Sequence, residues 1–296
     1  MLHDIETQIA TIAAAAGPSV VSIGRNGRGS GVVVADGAVL TSAHNLRDQT
    51  VSVTFADGRT DQGTLHGVDQ DGDLVVVAVP TGDTPPLAFA EVDEAPPVGT
   101  AVVALSRGGH RARATLGFVS AVDQAFRGPR GRVVQGGLEH TAPLARGSSG
   151  GPVLTADGRV VGINTHRVGD GFYLARLSDG TLRARVADLV AGHSPQRRLL
   201  GVAVAPADVA DKLRRAVGLD DDRTGLLVRA VDDSGPAARA GVAQGDLLVT
   251  VAGQALSSAD DLAVALDSVA GDTIEVTIVR GAEERTVTVD FTTADN

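Results

Sequence analysis

A serine can attack a carbonyl when it sits on a turn tight enough to aim neighbouring backbone N–H groups at the oxyanion that forms. Gly147-Ser148-Ser149-Gly150-Gly151-Pro152 carries glycines on both sides of such a serine. Alone, the string is also what a flexible linker looks like. The next residues do not read as linker: Val153-Leu154, Asp157-Gly158 and Val160-Val161-Gly162-Ile163 form the pattern of an apolar hairpin, which places the glycines inside a folded domain. A nucleophilic serine needs a base. His44 ends the stretch Thr41-Ser42-Ala43-His44, directly after the apolar run Gly31 to Leu40, although a single histidine at a strand end is ordinarily a surface or hydrogen-bonded residue. Asp73 is equally ordinary alone, yet it precedes four apolar residues, Leu74 to Val77. That position suits a carboxylate held at the edge of a core, where it could orient an imidazole.

Other chemistries find less support. Gly27, Gly29 and Gly31 lack nucleotide-loop spacing, and the sole lysine, Lys212, lies far from them. The seven histidines include no close pair of the H-E-x-x-H kind, so no metal site is expected; His66, His110, His140 and His166 read as structural or exposed. The absence of cysteine excludes disulfides, thiolate metal sites and a cysteine nucleophile.

The elements that must position these residues are mostly strands. From Ser19 to about Thr165, short β-branched runs such as Val32-Val33-Val34, Val51 to Phe55 and Leu74 to Val79 alternate with Asn26-Gly27, Asp36-Gly37, Asp57-Gly58, Asp71-Gly72 and Asp157-Gly158. Such pairs tolerate the positive φ angles of hairpin turns, so an all-β sandwich or barrel is expected. Ile5, Ile9 and Ile12 have helical spacing before it, and Thr181 to Ala191 predicts a second helix capped by Thr181. Gly192-His193-Ser194-Pro195-Gln196-Arg197-Arg198 then breaks periodicity. Beyond it, a helix over Pro206 to Val217 (Val209, Leu213, Val217), strands at Leu226 to Val231 and Leu247 to Val251, a helix from Ser258 with Asp261 as capping-box partner, and a hairpin of Thr273 to Val279 with Arg285 to Phe291 are expected. The division is 1–192 for the first domain, 193–198 for a linker, 199–291 for the second domain and 292–296 for a tail.

The bulk composition agrees with two soluble globular domains. A chain of 296 residues can bury two cores, and with only 2 % aromatic residues these must be packed from Val, Ala, Leu and Ile. The net charge of −10 and the lack of a basic block argue against nucleic acid. Met1 to Gly17 lacks the basic start and continuous apolar stretch of a signal peptide, and no segment reaches membrane-spanning length. As given, the chain is expected to be soluble, either cytoplasmic or the processed part of an exported protein.

The order His44, Asp73, Ser149 is that of chymotrypsin-like enzymes, not of subtilisins or α/β-hydrolases. The stretches Gly29 to Val34, Leu40 to His44, Asp73 to Val77, Gly117 to Ala121, Gly147 to Val153 and Gly162 to Thr165 resemble the successive landmarks of HtrA-type proteases. Arg198 to Val202, Gly225 to Val228, Ser234 to Val242 and Gly245 to Leu248 are similar to the PDZ domain that follows the protease in that family. The resemblance implies a mainly β chain, a chymotrypsin-like double β-barrel followed by a small α+β PDZ domain. It also implies a serine endopeptidase that needs no cofactor and cleaves unfolded or flexible polypeptide. His44, Asp73 and Ser149 would form the triad, the Gly147 and Ser149 N–H groups the oxyanion hole, and Pro143, Leu144 and Ile163 part of the substrate pocket. Peptide C-termini would bind the PDZ domain at Leu199, Leu200, Gly201 and Val202, with Leu262 and Leu266 either in the groove or in the core. A non-catalytic peptide-binding scaffold and an esterase remain alternatives. The chain departs from the family in having Ala145-Arg146 before Gly147 and Ser148 before the nucleophile. It also lacks the N-terminal aromatic residues with which many relatives trimerise, leaving its homo-oligomeric state open.

Overall fold

The computed structural model describes residues 2–25, 27–91, 95–129, 131, 133–195, 198–216, 223–269 and 271–292. The chain divides into two compact units between Pro195 and Gln196.

In the first unit, helix α1 (Leu2–Ala16) precedes strands β1 (Val20–Ile23), β2 (Gly29–Ala35), β3 (Ala38–Thr41), β4 (Thr50–Thr54), β5 (Thr60–Asp69) and β6 (Leu74–Ala78). These close into a barrel in the order β1-β2-β3-β6-β5-β4. A second barrel, ordered β10-β11-β12-β9-β8-β7, is formed by β7 (Ala101–Gly108), β8 (Arg111–Arg127), β9 (Val133–His140), β10 (Pro152–Leu154), β11 (Val160–Gly169) and β12 (Phe172–Leu177). The unit is therefore barrel and not sandwich, and helix α2 (Gly180–Val190) closes it.

Continuous apolar runs become strands here because both faces of a strand are buried. Successive side chains leave a strand on opposite sides. Val20, Val32, Leu40 and Val76 accordingly enter a core shared with Leu105, Leu154 and Ile163 of the second barrel, while their neighbours Val21, Val33, Val39 and Val77 fill the first barrel with Val53 and Phe55. A separate cluster of Val102, Val119, Leu138, Val153, Val161 and Ala175 fills the second barrel. Helix α1 adds Ile12 to the shared core, with Ile9 half-buried beside it, whereas Ile5 is exposed. Helix α2 adds Leu182, Val186 and Leu189. Its N-cap is Asp179, which accepts from the Leu182 N–H, and not Thr181, which lies within the first turn. A carboxylate one residue before the helix reaches that orphan donor directly.

The second unit contains β13 (Val202–Ala205), α3 (Ala207–Ala216), β14 (Leu226–Val231), α4 (Pro236–Arg239), β15 (Leu247–Val251), β16 (Gln254–Ala255), α5 (Ala259–Asp267), β17 (Thr273–Arg280) and β18 (Glu283–Asp290). Its sheet runs β13-β14-β15-β17-β18, with β16 paired to β15, so β13 is an edge strand. Helix α5 starts at a capping box in which the Ser258 side chain accepts from the Asp261 N–H and the Asp261 carboxylate accepts from the Ser258 N–H. In α3, Ala210 is fully buried, Val209 is half-buried and Leu213 is exposed, while Val217 lies outside the described residues. No helix among the described residues is long and apolar enough to cross a membrane.

Candidate active site

Three loops of the first unit meet where the sequence placed its chemistry. His44 sits in a single helical turn, Ala43–Asn45, immediately after β3. Asp73 ends the turn between β5 and β6, almost completely buried at 1 % exposure. The turn is not built as the Asp71-Gly72 pair suggested. Asp73 itself takes the left-handed conformation, at φ +56°, which a non-glycine residue adopts at a cost and which is found mostly at turns and functional sites.

Three donors converge on the Asp73 carboxylate, and His44 Nδ1 lies within reach of both its oxygens. The His44 backbone N–H donates to Oδ1 at 3.0 Å and the His44 Nδ1–H to Oδ2 at 2.8 Å. The Thr165 hydroxyl donates to Oδ2 at 2.7 Å. Burial pushes the Asp73 pKa up, but the His44 hydrogen bond and charge, with the Thr165 hydroxyl, outweigh it and hold the carboxyl below its ordinary range. A carboxylate that accepts from Nδ1–H fixes the imidazole tautomer and leaves Nε2 as the acceptor. The structure thus brings His44 and Asp73 together in the way a general base requires.

Ser149 reaches the same place on a loop that cannot be a linker. A Cβ on Gly150 (φ +85°) would stand 2.2 Å from the Ser30 carbonyl oxygen, and one on Gly147 (φ +84°) 2.2 Å from that of Gly27. Glycine is required at both positions by backbone angle and by close approach. The Ser149 carbonyl accepts from the Ser30 N–H and the Asn45 side-chain amide, each at 2.9 Å. The Gly147 carbonyl accepts from the Ser30 hydroxyl at 2.7 Å, and the Gly150 N–H donates to the Asn164 carbonyl at 2.7 Å. Neither the Gly147 nor the Ser149 N–H has an acceptor among the described residues. The Ser149 hydroxyl itself donates to the Thr165 carbonyl at 2.9 Å and not to His44. That bond must break before the hydroxyl can be offered to another acceptor.

Of the proposed pocket residues, Pro143 is exposed and Leu144 half-buried. Ile163 is different: it is fully buried in the core shared by the barrels and is withdrawn as a pocket wall. A strand of two buried faces gives no sequence sign of which residue meets solvent.

Several working residues went unassigned in the sequence. Thr165, Asn164 and Asn45 hold the carboxylate, the nucleophile loop and the Ser149 carbonyl, yet polar residues at strand ends look like any others. His140 and His166 are not surface residues. His140 is fully buried, and the half-buried His166 ring lies 5.6 Å from that of His44 and 5.1 Å from that of Phe126. Because the Thr165 hydroxyl proton goes to Asp73, Thr165 Oγ1 accepts from His166 Nδ1–H at 2.7 Å. Burial pushes the His166 pKa down, with Asp73 pulling it up and His44 adding to the depression. No cluster of metal-ligating side chains occurs among the described residues.

In the second unit, Leu199 is exposed, Leu200 is buried in the core, and Gly201 takes φ +77°. The Leu200 carbonyl accepts from Ala237 N–H and that of Gly201 from Asp232 N–H, whereas the Leu200 and Gly201 N–H groups have no acceptor among the described residues. Consecutive free amides beside an edge strand can receive an anion. Leu262 and Leu266 are core residues, packed with Leu226, Leu248 and Val276. Between them on α5, Val264 is exposed at 51 %.

Comparison with known proteins agrees with this architecture. Residues 29–163 match the trypsin-like peptidase domain family and residues 199–291 the PDZ domain family. A probable periplasmic serine endoprotease, DegP-like, of Halomonas elongata is 32 % identical over 273 residues, covering 90 % of this chain and 56 % of the relative. The mitochondrial serine protease HTRA2 of Bos taurus is 30 % identical over 277 residues, covering 88 % and 59 %. The chain thus spans somewhat over half the length of these two relatives. Among solved structures, the HtrA-type protease AlgW with a decapeptide superposes with TM-score 0.76 at 22 % identity, covering 95 % of this chain and 97 % of the other. The chain thus matches a trypsin-like peptidase domain followed by a PDZ domain, and it is a homologue of the HtrA/DegP serine endoproteases.

Proposed function

We propose that the chain is a serine endopeptidase that cleaves unfolded or flexible polypeptide segments, with the peptidase over residues 1–192, a linker over 193–198 and the PDZ domain over 199–291. The observation that carries this reading is the buried Asp73 carboxylate, which fixes His44 as a base beside the glycine-bound loop of Ser149. His44 Nε2 takes the Ser149 hydroxyl proton as Oγ attacks the scissile carbonyl. Asp73 stabilises the imidazolium, and the Gly147 and Ser149 N–H groups bind the oxyanion. His44 then returns the proton to the leaving amine, and water repeats the sequence on the acyl-enzyme. No step needs a cofactor. With no acid among the proposed pocket residues to recruit Lys or Arg, cleavage follows small or medium apolar residues that meet Pro143 and Leu144.

The PDZ domain would take a peptide C-terminus as an added strand on the β13 edge, its carboxylate received by the Leu200 and Gly201 N–H groups. Leu262 and Leu266 are committed to the core, so neither lines the groove in this reading.

The resting hydrogen bond of Ser149 to the Thr165 carbonyl favours a second reading, a non-catalytic peptide-binding scaffold. Labelling with a fluorophosphonate separates the two. Covalent modification of wild type, absent in Ser149→Ala and accompanied by casein cleavage, is the expected result. A folded wild type that is neither labelled nor proteolytic, yet binds free peptide C-termini better than amidated ones, establishes the scaffold.

A further inference from the structure

His140 ends β9 with its side chain fully buried, and it is none of the residues that meet substrate in the proposed mechanism. Its hydrogen bonds can be assigned completely. Nδ1 lies 3.2 Å from the Ala142 N–H, a donor that cannot reverse, so Nδ1 carries a lone pair and the proton of a neutral ring is on Nε2. Nε2 lies 2.8 Å from Asn164 Oδ1. The amide orientation of Asn164 is fixed independently, because its Nδ2 lies 3.1 Å from the Gly151 carbonyl, which can only accept. Each of these three contacts thereby pairs one donor with one acceptor. Burial also pushes the His140 pKa down, which keeps the ring neutral, and the Tyr173 ring stacks beside it at 5.9 Å.

Asn164 is the other half of the device. Its backbone N–H donates to the Gly151 carbonyl at 2.9 Å and its carbonyl accepts from Gly150 N–H at 2.7 Å, so it grips both residues that follow Ser149. The Asn164 side chain would be free to rotate off Gly151 if nothing held Oδ1. Among the described residues, His140 is what holds it.

We infer that His140 is a positioning residue for the nucleophile loop, acting through Asn164 to fix the Gly150-Gly151 backbone and hence the Ser149 N–H and hydroxyl. The inference rests on Ser149 being the nucleophile. A neutral Nε2–H ring is required: the other tautomer would set Nδ1–H against Ala142 N–H, and an imidazolium would do the same.

The test measures the rate of fluorophosphonate labelling at Ser149 against reagent concentration near neutral pH, for wild type, His140→Leu and His140→Gln in the full chain. His140→Leu keeps approximate volume and loses both hydrogen bonds. Its maximal labelling rate is expected to fall roughly ten- to a hundredfold, the scale of a lost buried hydrogen bond, with the half-saturating concentration nearly unchanged. His140→Gln offers a donor and an acceptor and is expected to recover most of the rate, which a loss of mere packing would not allow. A folded His140→Leu labelled at the wild-type rate, or a folded His140→Gln as slow as the leucine variant, overturns the inference. Should the leucine variant not fold, the ¹⁵N shifts of the wild-type imidazole decide: protonated Nε2 with bare Nδ1 supports it, and any other state refutes it. If wild type is not labelled at all, the endopeptidase reading fails, and the same ¹⁵N measurement still judges the clamp.

Discussion

Replacing Asp73 by Asn changes one oxygen into an NH2 group at a site where three donors converge. Asparagine offers one acceptor oxygen, so one of the three donors must give way. The His44 backbone N–H cannot reverse. With the amide nitrogen in place of Oδ2, Thr165 must turn its O–H away, and Oγ1, which already accepts from His166 Nδ1–H, has one further lone pair for an amide hydrogen. The remaining repair is at His44, whose ring can move its proton to Nε2 and accept the amide at Nδ1. That repair preserves the fold and places a proton on the nitrogen that must receive one. Turnover should therefore fall about 10⁴-fold, the size known for this replacement in a Ser-His-Asp protease. At 1.36 kcal/mol per decade this is about 5.4 kcal/mol of transition-state stabilisation. The assay is kcat/KM on an unfolded protein or extended peptide, with thermal unfolding run in parallel. Asp69 and Asp71 share the turn, but Asp69 is engaged with the Gly72 N–H and Arg185. A loss below tenfold in Asp73→Asn, or an equal loss in Asp71→Asn, would refute the assignment of Asp73.

The other expectations concern the loop and a helix cap. Among the described residues Ser148 Oγ, which is buried, has no hydrogen-bond partner, so Ser148→Ala should leave casein cleavage near wild type and the melting temperature unchanged or higher. Gly150→Ala places a Cβ against the Ser30 carbonyl at positive φ and should abolish labelling while costing more than ~1 kcal/mol in a denaturant titration. In the PDZ domain, hydrogen bonds from Ser257 hold the Asp261 pKa down at about 2 against an ordinary 3.8. The folded state thus favours the carboxylate: its stabilisation is complete above the ordinary value and is lost as pH falls toward 2. Acid unfolding of that unit should lose part of its pH dependence in Asp261→Asn; unchanged curves would dissociate the cap from stability.

Most of the fold was legible from local signals, and the candidate triad of His44, Asp73 and Ser149 from its order along the chain. Hairpin glycines at 37, 58 and 158 do take positive φ, and the capping box at Ser258 forms as its spacing requires. Ser149 was legible through its glycines, whose need is steric. Residues whose work depends on long-range pairing were not. Nothing near Ile163 in sequence says that it faces the other barrel, and nothing near His140 says that Asn164, 24 residues on, will present an acceptor. At Asp71-Gly72 the local rule failed outright, because the left-handed conformation falls on Asp73, where three donors hold it.

Strand β11 explains why the site's supports escaped a period-of-two reading. Its pairing with β12 runs Asn164 to Ala175 and then His166 to Leu174, so β11 advances two residues while β12 advances one. Thr165 is the extra residue of a β-bulge, and bulges re-aim side chains near active sites. Freed from the ladder, Thr165 gives its hydroxyl to Asp73 and its carbonyl to the Ser149 hydroxyl. Asn164, still paired, faces the loop glycines and His140. One irregular residue thus lets a single strand hold the nucleophile loop through one side chain and the carboxylate through the next. A regular strand would turn Thr165 back into register and leave Asp73 two donors, both from His44, with its left-handed backbone less well held.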